Sequence, residues 1–299
     1  MVKPRYAVVE APSALGLFPG GVEQLPAALL EAGLADALTA RRAGLVGPPR
    51  FEPQRDVTTG LLNPTGVRDY AHQLAEATGE LLDGGEIPIV LGGDCSIMLG
   101  NLLALSRRGR YGLLFLDGHA DFYQPEAEPH GEAASMDLAL ATGRGPRVVA
   151  DLDGRGPLIR DEDVVAFGRR DAEEADEAGS QRIEESGIMV LDLATVRDRG
   201  ADRAAHDALD RVGRSELDGF WIHLDCDVLD DAVMPAVDYR QPGGLSWDEL
   251  ETVLRRAVET GRVVGLEVTI FNPALDSDGS IARALVASLT RALEYRDDA

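Results

Sequence analysis

The segment Leu116-Asp117-Gly118-His119-Ala120-Asp121 places three side chains that can bind a cation at alternate positions, directly after the apolar run Tyr111-Gly112-Leu113-Leu114-Phe115. In an extended strand, positions i, i+2 and i+4 share a face, so the spacing predicts that Asp117, His119 and Asp121 point the same way. A second segment, Phe220-Trp221-Ile222-His223-Leu224-Asp225-Cys226-Asp227, repeats the pattern with two carboxylates after another apolar run. Together they form a cluster of hard ligands for one or two divalent cations.

The elements that must position these residues follow from periodicity. Strands are expected at Arg5 to Val9, Ile87 to Leu91, Gly112 to Leu116, Val164 to Gly168, Ile188 to Leu191, Gly219 to Leu224 and Val263 to Thr269. Amphipathic helices are expected at Val22 to Glu31, Arg68 to Leu82, Ile97 to Ser106, Ala201 to Val212, Trp247 to Thr260 and Ile281 to Tyr295. This alternation predicts an α/β fold with a mostly parallel sheet covered on both faces, in a single domain over residues 1–299. In such sheets ligands collect at the carboxyl ends of strands, where every candidate motif lies. The stretch Tyr123 to Ala134 lacks strong periodicity and reads as a loop over the site.

Composition narrows the function classes. The 299 residues are 44% hydrophobic, enough for a large core. A formal net charge of −23 argues against binding a phosphate backbone and for solubility by self-repulsion. No apolar run reaches the roughly 18 residues of a membrane span, and no basic-then-apolar leader is visible. The two cysteines, Cys95 and Cys226, lie inside candidate site motifs rather than in a disulfide framework, so a reducing cytoplasm is the expected setting.

Three strand-end motifs, Gly92-Gly93-Asp94-Cys95-Ser96, Asp117-Gly118-His119-Ala120-Asp121 and Asp225-Cys226-Asp227-Val228-Leu229-Asp230, occur in that order. With Gly243-Gly244-Leu245 and Asn272-Pro273-x-x-Asp276, they resemble the ureohydrolase superfamily of arginases, agmatinases and formimidoylglutamases over roughly residues 5 to 295. The resemblance implies a three-layer arginase-type fold and two manganese ions. Asp117 and Asp225 would bridge the ions, His119 and Asp227 would complete one, and Asp121 with Cys95 the other. Two such ions can acidify a shared water for attack on a guanidine or amidine carbon of a small metabolite. The resemblance also assigns His130, in His130-Gly131, as proton shuttle to the leaving group, a role that imidazole chemistry suits. Trimers and hexamers are common among such proteins, so a homo-oligomer is expected.

Two departures bear on substrate. Cys95 stands where the motif usually has histidine. As a ligand, its thiolate and four aspartates give about five negative charges against about four positive, which predicts a less acidic water or a softer metal. Alternatively Cys95 is a small buried hydrophobe beside a weakened metal site. Ile270 occupies the position from which a glutamate receives the guanidinium, forfeiting a charge-assisted hydrogen bond worth roughly 1.5 to 3 kcal/mol. Glu267 lies an odd offset of three away and should face oppositely. Glu126, Glu128 or Glu132 in the loop could supply a carboxylate instead.

His223 reads either as a neighbour supporting the ligands or as an ordinary buried histidine. Asp94 is expected to satisfy loop amides, Gly168-Arg169-Arg170-Asp171 resembles a Gly-x-Arg-Asp segment of the same superfamily, and Glu173 is expected as exposed charge. Asp230-Asp231 replaces the usual Asp-Pro without removing a ligand. The leading expectation is a metal-dependent amidinohydrolase with a small-molecule substrate. The alternatives are hydrolysis of a neutral amide or formyl-type substrate with one or two metals, and a non-catalytic metal-binding relative.

Overall fold

The apolar runs rich in valine, isoleucine, leucine and phenylalanine lie side by side as strands, as their β-branched and aromatic content favours. The computed structural model describes residues 4–294. Within them the strands are β1 (Tyr6–Ala11), β2 (Arg41–Leu45), β3 (Ile87–Gly92), β4 (Gly112–Leu116), β5 (Val164–Phe167), β6 (Met189–Leu191), β7 (Phe220–Asp225) and β8 (Val263–Thr269). They form one sheet in the order β2-β1-β3-β8-β7-β4-β5-β6, with every pair parallel.

The boundaries of β4 and β8 coincide with expectation, and five other strands shift by at most two residues. Strand β2 was not expected. Its sequence, Arg-Arg-Ala-Gly-Leu, is mostly exposed at the sheet edge, where a strand needs no apolar face. Helix Ala201–Val212 matches its expected limits. The first expected helix divides into the turn Val22–Gln24 and the helix Leu25–Glu31. The last runs over Ser280–Leu293, and its expected end at Tyr295 lies outside the described residues, as do both ends of the expected 1–299 unit.

Alternation along the strands sends side chains to two cores, one on each face of the sheet. Leu114, Leu116, Ile222, Leu224, Leu266 and Val268 pack on one side with helices Leu25–Glu31, Trp247–Glu259 and Ser280–Leu293. Leu113, Phe115, Trp221 and Val90 pack on the other with helices Pro64–Asp83 and Met98–Ser106. The result is the expected three-layer α/β arrangement. Its four central strands, β3, β8, β7 and β4, bring the candidate motifs to one edge of the sheet.

Candidate functional site

Register aligns the strand ends. Leu116 of β4 pairs with Leu224 of β7, and Asp225 pairs with Thr269 of β8, so the loops bearing Asp117, Asp225 and Cys95 emerge together. Strand alternation does not align Asp117, His119 and Asp121, because β4 ends at Leu116 and these candidate ligands sit on the loop beyond it. Turns make them converge instead: Asp121 adopts φ 43°, an unusual conformation for a residue other than glycine. In the third motif Asp225 ends its strand and accepts from the amide of Asp227 at 2.7 Å, opening the 3-10 turn Cys226–Val228.

Close backbone approaches hold these loops. A Cβ on Gly93 would sit 1.7 Å from the Ser13 carbonyl oxygen, which accepts from the Asp94 amide. Gly244, at φ 125°, lets its loop lie against Leu229, where Leu245 donates to Val228 at 2.8 Å. Asp94 accepts from the Ser13 hydroxyl and the amides of Ser96 and Gly16, as expected of a loop organiser. The Arg169–Asp171 pair, 2.7 Å apart, orients Asp171 to accept from Ala120, while Arg170 donates to the Asp227 carbonyl at 2.8 Å.

The candidate ligands gather into three overlapping groups, each with donor atoms within 4.8 Å of one another. These are Cys95, Asp117, His223 and Asp225; Cys95, Asp121 and Asp137; and Asp117, His119 and Asp227. The Cys95 thiol donates to Asp225 Oδ2 at 2.8 Å and lies 3.3 Å from Thr269 Oγ1. His119 Nδ1 lies 2.9 Å from Asp227 Oδ2, and the Gly118 amide donates to the other Asp227 oxygen at 3.0 Å. Burial opposes ionisation of Asp227, but the His119 charge and these hydrogen bonds hold its carboxyl below the usual range. Burial likewise opposes a proton on His119, yet Asp227 and Asp117 raise its affinity for one well above the ordinary imidazole value.

Elsewhere like charges dominate. Burial and the nearby Asp227 push the Asp117 carboxyl up to about 6. Asp121, Asp225 and the Cys95 thiol are all raised well above their ordinary values, by burial first and then by neighbouring carboxylates. Asp117 Oδ2 has no hydrogen-bond partner among the described residues. A cluster of buried carboxyls raised in this way, with one Asp117 oxygen left without a partner, fits a divalent cation, whose charge would relieve the repulsion.

His223 stacks on Phe115 with centroids 4.5 Å apart and holds Glu267 through Nδ1 at 2.7 Å, while its Nε2 faces Asp117 Oδ2 at 3.8 Å. Behind it Asn101 donates to Glu267, and Thr78 donates to Asn101 at 2.9 Å. Glu267 is thus engaged behind His223 and does not line the cavity beside Ile270, which lies beyond the end of β8, where strand alternation no longer relates the two residues. Ile270 is 5% exposed and adopts φ 66°, a costly conformation for a β-branched side chain.

Above the ligands opens a cavity of about 290 Å³ lined by Cys95, His119, Asp121, Asp225, Asp227 and Ile270, with walls from Tyr123, Glu128, His130, Glu132, Glu174 and Tyr239. Among its described lining residues there is no lysine or arginine. His130 is exposed at its margin. Glu126 is exposed and absent from the lining, and Glu128 is occupied by the amides of Gly131 and Glu132. Glu132 remains as the buried loop carboxylate facing the cavity, accepting from the Tyr239 hydroxyl at 2.7 Å. Glu173 is exposed, whereas its neighbour Glu174 reaches the lining. Sequence reading missed Asp137, whose signal is a lone acid inside Met136-Asp137-Leu138-Ala139-Leu140, and Tyr239, which carries no local signal.

The profile of the arginase family matches residues 5–294. The chain belongs to the arginase family. It is 30% identical to the arginase of Bacillus subtilis strain 168 over 292 residues, covering 95% of this chain and 96% of the relative. It is 27% identical over 288 residues to the arginase of Staphylococcus aureus strain COL, covering 94% of each. The solved arginase of Bacillus caldovelox superposes with a TM-score of 0.90 at 27% identity, covering 99% of this chain and 100% of the other. The arginase-type fold and the enzyme class, an arginase-family hydrolase, therefore hold for this chain. No helix among its described residues is long and apolar enough to cross a membrane.

Proposed function

We propose that this arginase-family hydrolase holds two divalent ions, Mn²⁺ by preference, and hydrolyses a guanidine or amidine C–N bond of a small metabolite in the cytoplasm. The observation that carries this reading is the convergence of Asp117, His119, Asp121, Asp225, Asp227 and Cys95 beneath one cavity. Bound there, the ions would supply an acidified water near neutral pH and positive charge for the transition state.

The chain's own groups do the rest. Asp117 and Cys95 each belong to two of the ligand groups, and Asp225 lies in the group that contains both, so Asp117 and Asp225 are the carboxylates proposed to be shared. The acidic walls, with no basic residue among the described lining, favour a cationic or neutral substrate over an anion. Ile270 gives an amidinium no carboxylate at that point, and Glu132, fixed by Tyr239, offers one across the cavity. His130, at the cavity margin, would hand a proton to the departing amine.

Metal-replete protein assayed with arginine, agmatine, hydroxyarginine, guanidinobutyrate and formimidoylglutamate should release urea or ammonia from at least one. His130→Ala should slow that turnover about 10²-fold with metal content unchanged. Inertness toward all five at full metal occupancy would sink the proposal. The apolar Ile270 wall supports a second reading, hydrolysis of a neutral amide or formyl-type substrate, which turnover of such a compound alone would establish.

A further inference from the structure

Asp137 is a buried acid for which the six-ligand reading has no use. It opens the short helix Asp137–Ala141, is 0% exposed, and neither of its carboxylate oxygens has a hydrogen-bond partner among the described residues. A carboxylate removed from water and given no donor persists in a fold only at a cost. One of its oxygens lies in a group with Cys95 Sγ and a carboxylate oxygen of Asp121, all within 4.8 Å of one another and all buried. The helix is latched to that spot, since Ala139 donates to the Asp121 carbonyl at 3.2 Å. Burial raises the Asp137 carboxyl well above its ordinary value, and the carboxylates of Asp117, Glu267 and Asp94 add to the rise.

We infer that Asp137 is a metal ligand, completing with Asp121 and Cys95 the ion on that side of the centre. The inference rests on the metal-centre reading above and adds a seventh residue to it. It also accounts for the proposed Mn²⁺ preference over the softer ion that a Cys95 thiolate would favour. The Cys95 thiol already has an acceptor in Asp225, so Asp121 and Asp137 supply the anionic oxygens. A site dominated by two carboxylates selects a hard ion such as Mn²⁺ over a softer one.

The test uses the full chain stripped with chelator and titrated with Mn²⁺ by calorimetry, with stoichiometry checked by elemental analysis and electron paramagnetic resonance. Wild type should bind two ions with an exchange-coupled spectrum. Asp137→Asn, nearly isosteric, should keep one ion at unchanged affinity and bind the other at least about tenfold more weakly, with the six-line spectrum of an isolated ion appearing at substoichiometric loading. Asp137→Leu should show the same loss and, free of metal, should unfold at a higher temperature than wild type, because an unpaired buried charge is gone. Two ions at wild-type affinity in both variants would overturn the role of Asp137 while leaving the metal centre standing. Wild type that binds no Mn²⁺ would overturn the metal-centre reading, and this inference with it.

Discussion

The two sides of the ligand cluster differ in how they are held without a cation. On the side of His119, Asp227 and Asp117, an imidazole 2.9 Å from Asp227 and backbone amides from Gly118 and His119 compensate the carboxylates. On the side of Cys95, Asp121 and Asp137, a neutral thiol and two strongly raised acids face one another. The first side is organised in advance by charge complementarity. The second is held apart only by the packing of its loops and awaits a counter-charge. Preorganisation need not be uniform across one site: half of it can be assembled by internal pairing while the other half is completed by what it binds.

Removing a carboxylate from the group that links the two sides, sharing Asp117 with one and Cys95 with the other, should have the largest effect. Asp225→Ala is expected to cost about 10³-fold or more in kcat/KM, some 4 kcal/mol, and to lower metal occupancy on both sides. Retention of two bound ions would break the picture of a shared centre.

The next effect is on stability. In metal-free protein Asp117 titrates near 6 when folded, against about 3.9 unfolded. The folded state therefore binds more protons, and the resulting stabilisation, present in full below about pH 4, is lost as pH rises through about 6. Asp121, Asp137 and Asp225 are raised and act in the same sense, while Asp227 is lowered and opposes them. Urea midpoints in chelator should thus fall by the equivalent of about 2 to 3 kcal/mol between pH 4 and 7, and Mn²⁺ should reverse the trend. A flat or rising profile would mean that the second side is already compensated.

The smallest change sharpens the contrast. Cys95→His should tighten Mn²⁺ by about tenfold on the Asp121 side alone, measured by calorimetry, and should shift the activity profile to lower pH. Unchanged metal preference and pH profile would show that Cys95 does not touch the ion.

Much of this organisation is legible in the chain because the central strands are largely buried and read as nearly continuous apolar runs. Edge strand β2 is not, since Arg41 and Arg42 face solvent and pair with Glu86 and Glu10. The six ligand types stand out beside the strand ends, although loop turns rather than strand alternation make them converge. Asp137 was invisible because its meaning depends on a helix folding back over Cys95. The Glu132–Tyr239 contact, 107 residues apart in sequence, leaves no local trace. Ile270 was readable as an apolar replacement, but its positive φ goes with a hydrogen bond that its backbone amide donates to the Gly93 carbonyl at 2.9 Å, a tertiary contact.

The place of β8 in the sheet also sets an order of events. The last strand in sequence is inserted between β3 and β7, and its Thr269 lies 3.3 Å from Cys95 while pairing with Asp225. A nascent chain that ends before Val263 lacks the partner for both neighbouring strands, so Cys95 and Asp225 have no template to meet on. Such long-range parallel pairing is slow to form. Capture of a cation by this cluster would therefore report on completed folding, and ribosome-bound chains should acquire it only after the carboxyl-terminal strand has emerged.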